Sequence, residues 1–216
     1  MSDAFALFDF DRTIVRGDSI ALLWRYAVHM HPRLAGHFAR RMVPALLISA
    51  TQRGDLKPIK DGLMSLFGIM GDKGLHHFTT KVLPLHFFAE AVAEMERLHR
   101  EGVRILLVSA SPEAYIKYLD EVLPVEAVLG TQTDEKYRMI GKNNRGEEKV
   151  RRIEEYLGGD LSLIDYDRSF GYSDSYRADR PMLELVKHRY LINDMRKREG
   201  YKNLSWHRVQ KKRRTL

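Results

Sequence analysis

A short apolar run near the start of the chain ends in two carboxylates, and this feature constrains the fold more than any other. Residues 5–8 are all apolar and are followed by Asp9, Phe10 and Asp11. A run of this length bounded by charge predicts a buried strand, and carboxylates at its carboxyl end would face the crevice where open α/β sheets bind ligands. Alternation along an extended chain places Asp9 and Asp11 on one side. The pair is a candidate reaction centre, although the same residues could instead begin a solvated loop.

The composition narrows the possible classes of protein and kinds of site. A chain of 216 residues fits one α/β domain with an insertion, or two small domains. The absence of cysteine excludes disulfides, thiolate metal sites and cysteine nucleophiles. A net charge of +7 favours anionic ligands. The amino terminus lacks the features of a signal peptide and no apolar run approaches about 18 residues, so we expect a cytoplasmic protein without a transmembrane segment.

Two later segments carry polar groups where an anion could bind. The apolar run 103–108 predicts a second buried strand, which breaks into Ser109-Ala110-Ser111 ahead of a helix. A hydroxyl at such a strand tip can hold an anion with help from backbone N–H groups, or it can simply cap the helix. Lys149 follows a glycine-bounded loop, 141–146, in the first turns of a predicted helix. Most lysines in that position are solvated, so Lys149 alone indicates little.

Two more acids, Asp174 and Asp179, follow in the segment 170–183, which we interpret as a turn-rich loop leading into a helix. A carboxylate pair beside a serine-rich turn suits a hard cation with oxygen ligands. Farther along, the pattern predicts a strand at 190–192 and a short helix over 195–199. The basic stretch beyond Arg208 is expected to be a solvated terminus, with nucleic-acid or phospholipid contact as the alternative.

The segment between the first two strands, residues 16–88, reads as a helical insertion. Asp18 or Ser19 is placed to cap its first helix, and further helices are predicted over 56–67 and 73–83. No acid occurs from Ser19 to Gly54, whereas five arginines do: Arg25, Arg33, Arg40, Arg41 and Arg53. Three interpretations remain open, namely a helical subdomain with solvated arginines, a lid over an anionic substrate, or a face that rests on acidic membrane lipid.

Taken together, the polar segments resemble the four ordered motifs of the haloacid dehalogenase superfamily. The motifs are Asp9-x-Asp11-x-Thr13, the strand-ending Ser109, Lys149, and Asp174 with Asp179. The match covers nearly the whole chain and is closest to the phosphoserine-phosphatase-like branch, subfamily IB. It implies an α/β fold with a Rossmann-like, doubly wound parallel sheet as catalytic core, residues 1–15 and 89–216. Residues 16–88 would form an inserted α-helical cap.

The resemblance also implies a reaction, a Mg²⁺-dependent phosphomonoesterase acting through an aspartyl-phosphate. Asp9 would be the nucleophile, and Asp11 would protonate the leaving group and then activate water. Mg²⁺ would be bound by Asp9, the backbone carbonyl of Asp11 and Asp174, with Asp179 in support. Four residues would bind phosphate: Thr13, Ser109, Ala110 and Lys149.

The substrate is less constrained. Asp18 stands where phosphoserine phosphatases carry a glutamate that meets the substrate amine, so it is the candidate specificity residue, and the cap arginine of those enzymes has no match near Lys60 and Gly62. Arg12 replaces the small residue common before Thr13, which leaves the chemistry intact and changes the rim of the site. We expect a small phosphorylated metabolite, phosphoserine-like or histidinol-phosphate-like.

Other partners stay open at this stage. The alternative substrate is a lipid phosphate such as phosphatidylglycerophosphate, with peripheral contact between the basic segment and an anionic membrane. A non-catalytic anion-binding protein on the same scaffold is a third reading, which the intact acids Asp9, Asp11 and Asp174 argue against. Nucleic acid is not expected to be a partner.

Overall fold

The computed structural model describes residues 2–32, 36 and 57–209, and its centre is a six-stranded sheet. The sheet order is β3-β2-β1-β4-β5-β6, and every neighbouring pair is parallel. The order reverses beside β1, which confirms the doubly wound, Rossmann-like α/β core. The strands are β1 (Phe5–Phe8), β2 (Arg104–Pro112), β3 (Ala127–Thr131), β4 (Phe170–Ser173), β5 (His188–Ile192) and β6 (Lys202–Leu204).

Helices cover both faces of the sheet. Phe8 on β1 packs in one apolar cluster with residues of α1 and α3, whereas Leu7 packs in a second cluster with residues of α5 and α6. Burial on both faces explains why β1 reads as an unbroken apolar run rather than as alternating residues. The described helices are α1 (Ser19–Met30), α2 (Lys57–His77), α3 (Ala89–Arg100), α4 (Glu113–Ile116), α5 (Glu147–Tyr156) and α6 (Tyr176–Leu183).

The segment proposed as a cap leaves and rejoins the core at one point. Val15 and Phe87 form an antiparallel bridge, and the backbone N–H of Arg16 donates to the carbonyl of His86 at 2.8 Å. The N–H of Phe88 donates in turn to the carbonyl of Ile14 at 2.8 Å. These bonds lie at the boundaries proposed for residues 16–88. The arginines at 33, 40, 41 and 53 lie outside the described residues, so the basic segment remains a prediction.

Several local predictions can now be judged. Asp18 is the N-cap of α1, as predicted, because its carboxylate accepts from the N–H of Ala21 at 3.0 Å. Two helices are predicted over 56–67 and 73–83, and α2 does consist of two helical segments, which are separated by the non-helical residue Gly71 (φ 61°, ψ 173°). The chain then continues through a π-helical turn, Phe78–Val82, and a 3₁₀ turn, Leu83–His86.

Two local predictions are wrong. Residues Phe170–Ser173 form the central strand β4 rather than a turn, and the turn begins only after Ser173. A Cβ atom at position 171 would lie 2.8 Å from the side chain of Leu183 on α6. The close packing of α6 therefore requires glycine here, although glycine weakens the strand pattern of the sequence. Residues 195–199 form no helix. Met195 is 96% exposed, so its side chain has no apolar surface against which a helix could pack. Among the described residues, no helix has the length and apolar character needed to cross a membrane.

Candidate active site

Asp9 lies directly beyond β1, at the point where the strand order of the sheet reverses. Its N–H donates to the carbonyl of Tyr172 at 2.9 Å, which extends the pairing with β4 by one residue. The carboxylate is 7% exposed and both of its oxygens are engaged. Lys149 Nζ donates to Oδ1 at 2.7 Å, and Thr13 Oγ1 donates to Oδ2 at 3.1 Å. The side chain is therefore held in one orientation.

Lys149 is a buried cation between two carboxylates. It is 1% exposed, and its ammonium lies 2.7 Å from Asp9 and 2.9 Å from Asp179. Asp179, on α6, is fixed in turn by Ser173, whose hydroxyl donates to Oδ2 at 2.6 Å. Burial alone would lower the pKa of Lys149, but the two carboxylates hold that pKa above its usual range. Lys149 is therefore charged at neutral pH, and it is the internal countercharge of the site.

One lysine does not balance the acids around it. Burial raises the pKa of Asp9 to about 7 against the attraction of Lys149, and repulsion from Asp179 and Asp174 adds to the increase. Burial and the neighbouring Asp179 raise the pKa of Asp174 to about 6. Within the described residues, the Asp174 carboxylate has no hydrogen-bond or ion-pair partner. A second positive charge would lower both pKa values.

The donor set suits a hard cation such as Mg²⁺. Asp9 and Asp174 supply carboxylate oxygens of the kind that Mg²⁺ prefers, and a small number of protein ligands is normal for this ion. No group of three or more His, Cys, Asp or Glu side chains in the described part of the chain has the arrangement of a metal site. In the predicted ligand set, the third protein ligand is the backbone carbonyl oxygen of Asp11 rather than a side chain.

Asp11 sits in different surroundings. Its Oδ1 accepts from the N–H of Ser19 at 2.6 Å, and its Oδ2 accepts from the hydroxyl of Ser111 at 2.7 Å. The hydroxyls of Ser111 and Ser19 are 3.2 Å apart, and that of Ser19 is 2.6 Å from the buried phenol of Tyr115. Burial raises the pKa of Asp11, and the bonds from Ser111 and Ser19 oppose this increase. Three buried hydroxyls thus form a hydroxyl relay, Ser111–Ser19–Tyr115, that ends on Asp11.

These side chains surround a cavity of about 370 Å³. Eight of the nine residues predicted from the sequence for the site line it: Asp9, Asp11, Asp18, Ser109, Ala110, Lys149, Asp174 and Asp179. Thr13 is the exception, because it is fully buried behind Asp9. Its hydroxyl donates to Asp9 and accepts from the N–H of Asp174 at 2.9 Å. Thr13 thus joins the loops after β1 and β4 and helps to position them, while its role in binding phosphate stays a prediction.

Some residues of the site had no sequence prediction. Arg145 and Asn143 line the cavity from the glycine-bounded loop that precedes Lys149. Because this loop precedes a predicted site residue, its polar side chains could have been identified as site candidates from the sequence. Ser19 and Tyr115, by contrast, belong to α1 and α4 and are 96 residues apart, so no local pattern could have paired them.

Comparison with known proteins gives the family and supports the fold. The family model for haloacid dehalogenase-like hydrolases matches residues 6–184. Protein CicA of Caulobacter vibrioides is 27% identical over 191 residues, covering 83% of this chain and 81% of CicA. A protein of unknown function from Bordetella pertussis Tohama I has a TM-score of 0.72 at 22% identity, with 89% of this chain and 91% of that chain covered. A phosphoserine phosphohydrolase-like protein from Francisella tularensis subsp. tularensis SCHU S4 has a TM-score of 0.54 at 18% identity, with 93% and 91% covered.

Proposed function

Because this chain belongs to the haloacid dehalogenase-like hydrolases, we propose that it is a Mg²⁺-dependent phosphatase of small phosphate monoesters that works through an aspartyl-phosphate. The observation that carries the proposal is the unequal environment of two carboxylates in one cavity. Asp9 contacts a buried ammonium, whereas Asp11 contacts only hydroxyl and amide donors. Two acids in such different surroundings can hold different protonation states, as a nucleophile and a proton donor require.

In the first half-reaction, an oxygen of Asp9 attacks the phosphorus of the substrate. A bond forms between Asp9 and phosphorus, the bond from phosphorus to the alkoxide oxygen breaks, and Asp11 transfers its proton to that oxygen. A positioned acid of this kind typically contributes about 10²- to 10⁴-fold to the rate. We expect Lys149 and the backbone N–H groups near Ser109 and Ala110 to bind the non-bridging oxygens, because these three residues line the cavity.

In the second half-reaction, Asp11 acts as a base. It accepts a proton from a water molecule as that water attacks the phosphorus, the bond from Asp9 to phosphorus breaks, and inorganic phosphate leaves. Asp9 returns to its carboxylate form and Asp11 is again protonated. The hydroxyl relay can donate to Asp11 whenever it is ionised, which supports its alternation between the two states.

Mg²⁺ would be held by Asp9, Asp174 and the backbone carbonyl of Asp11. When bound, it supplies positive charge that neutralises the crowded acids and the incoming phosphate dianion. The raised pKa values of Asp9 and Asp174 support this role, because both record an excess of negative charge that Lys149 does not balance.

The experiment that tests the function is hydrolysis of p-nitrophenyl phosphate and of a metabolite panel, with and without Mg²⁺. Asp9→Asn has nearly the same shape and a much weaker nucleophile, so it should fold normally and lose activity. Asp11→Asn should slow both formation and breakdown of the phosphoenzyme. If Asp9→Asn retains more than a few per cent of the wild-type rate, Asp9 is not the nucleophile.

The lipid alternative has a separate test. It rests on the acid-free, arginine-containing stretch from Ser19 to Gly54. Binding to vesicles of mixed neutral and anionic phospholipid should then occur at low ionic strength, where a basic surface attracts them most. Arg40→Glu combined with Arg41→Glu should abolish it while sparing soluble substrates. A wild-type protein that does not bind such vesicles favours the soluble metabolite.

A further inference from the structure

A second groove adjoins the active-site cavity, and nothing in the proposed mechanism uses it. Its volume is about 500 Å³. The two spaces share Arg12 and Asp174, so they are contiguous. One wall is the loop from Arg12 to Gly17 that follows the catalytic carboxylates. The other includes Trp206 and His207, from the chain after β6.

The groove has an aromatic floor that is already fixed. Phe88 and Trp206 are each 6% exposed, and their ring centroids lie 6.5 Å apart. Asn193 clamps the backbone of Trp206 from both sides: its Oδ1 accepts from the N–H at 2.9 Å, and its Nδ2 donates to the carbonyl at 3.1 Å. Trp206 also stacks on Tyr172, with centroids 6.1 Å apart. The floor is thus held by the core and does not require a ligand to form.

The groove carries positive charge at its rim. Arg12 and Arg16 are both exposed, and in the described part of the chain neither guanidinium takes part in an ion pair. His207 borders the same space. The acid that lines the groove, Asp174, belongs to the proposed cation site. Guanidinium groups offer planar pairs of N–H donors that match carboxylate and phosphate oxygens, so the groove is suited to an anion.

Backbone conformation distinguishes this groove from ordinary surface. Arg12 (φ 59°) and Asn193 (φ 56°) both line it in the left-handed region, and the only other non-glycine residue described with positive φ is Tyr137. This conformation costs about 1–2 kcal/mol for a residue with a Cβ. Arg12 is exposed, so core packing does not offset the cost, and a glycine would adopt the same turn without it. A strained backbone conformation that is retained at an exposed position indicates that the side chain has a function.

We propose that this groove is a second anion subsite, which binds a carboxylate or phosphate carried by the substrate itself while the phosphate to be hydrolysed lies at Asp9. The inference rests on the proposed phosphatase function and narrows its substrate class to phosphomonoesters with a second anionic group. Arg12 and Arg16 contact that group, and the apolar part of the molecule lies against Trp206. Arg12 lines both spaces, so it lies where the two ends of such a substrate would meet.

A series of substrates of graded chain length tests the subsite. ω-Carboxyalkyl phosphates with two to five methylene groups are compared with n-alkyl phosphates of equal length, in the wild type and in Arg16→Gln. At least one carboxyalkyl phosphate in the series should have a KM about tenfold below that of the n-alkyl phosphate of equal length. Arg16→Gln should remove this preference and leave kcat/KM for p-nitrophenyl phosphate within about twofold. The matched control is Arg208→Gln, which removes a nearby exposed charge that is paired with Glu90 and does not line the groove.

A binding measurement keeps the test independent of turnover. The chain has two tryptophans, so Trp206 fluorescence in Asp9→Asn can report binding of the preferred carboxyalkyl phosphate, with Trp206→Phe to identify the signal. Binding that weakens about tenfold in Arg16→Gln supports the subsite. Free succinate that alters turnover of p-nitrophenyl phosphate without competing would identify a separate effector site and overturn the proposal.

The two proposals fail in different ways. A wild type that hydrolyses none of these esters contradicts the phosphatase function, whereas the fluorescence titration still tests the groove. An active enzyme with equal KM values for carboxyalkyl and n-alkyl phosphates of equal length, unchanged in Arg16→Gln, overturns the subsite alone.

Discussion

Replacement of Lys149 by methionine should destabilise the protein in a pH-dependent manner. Methionine has a similar length but no charge, so Asp9 and Asp179 would lose the ammonium that lies within 3 Å of both. Removal of one partner from a buried ion pair costs about 3–5 kcal/mol when the other partner must stay ionised. We expect a loss of this size at pH 8.

The cost should fall as the pH is lowered. Burial already raises the pKa of Asp9 to about 7, and the loss of Lys149 removes the attraction that opposes this increase. The folded-state pKa of Asp9 therefore rises further above the unfolded value near 4, and between these two values the folded state binds more protons than the unfolded state. Stability of the variant therefore falls with increasing pH across this window, and it is greatest at the acidic end. At pH 5 the remaining cost is two lost hydrogen bonds, about 1–3 kcal/mol in total.

Urea unfolding of metal-free protein, followed by circular dichroism at pH 5 and pH 8, measures the difference. The control is the double variant Lys149→Met with Asp179→Asn, which removes one stranded carboxylate and should recover part of the loss at pH 8. A cost that is equal at the two pH values, or losses that simply add in the double variant, would refute the reasoning, because either result means that the charge of Lys149 is not what the fold requires.

Three further predictions concern the acids and the hydroxyl relay. Asp174→Asn should raise the Mg²⁺ concentration needed for half-maximal activity at least tenfold while excess Mg²⁺ restores most of the rate; a loss that no Mg²⁺ concentration relieves would contradict its role as a ligand. Tyr115→Phe removes one hydroxyl from the relay, so the pKa of Asp11 should rise further. The basic limb of the pH profile of kcat/KM, where Asp11 loses the proton that it donates to the leaving group, should then move to higher pH, with no change expected in the neighbouring control Tyr118→Phe. Asp18→Ala and Asp18→Asn should both reorder the substrate panel, but only the alanine variant should also lose about 1 kcal/mol of stability, because asparagine still caps α1; a uniform fall in rate on all substrates would assign Asp18 to the core site instead.

The parallel core was predictable because β1 and the apolar half of β2 are buried on both faces and therefore read as unbroken apolar runs. The central strand β4 was not, since its four residues include a glycine and a serine that packing and hydrogen bonding select over strand propensity. The clearest signals for the site were local ones, such as two carboxylates one residue apart.

The hydroxyl relay and the second groove lay beyond local patterns. Ser19 and Tyr115 are hydrogen bonded although they are 96 residues apart, and Arg16 and Trp206, from near opposite ends of the chain, line the same groove. Such contacts depend on the topology of the fold. In a single sequence the residues that form them look like ordinary polar or aromatic residues.

The bridge between Val15 and Phe87 bears on how such a chain could have been assembled. For the core, a segment whose two ends are hydrogen bonded to each other is equivalent to a tight turn, whatever its length. The entropic cost of closing a loop grows only with the logarithm of its length, so a loop of roughly seventy residues in place of one of five adds only about 2 kcal/mol to that cost. The length of the insertion is therefore nearly free to vary, but its packing is not. Leu23, Phe67 and Phe78 of the insertion share the buried cluster of Phe8, so any segment that replaced it would have to cover the same face of the sheet.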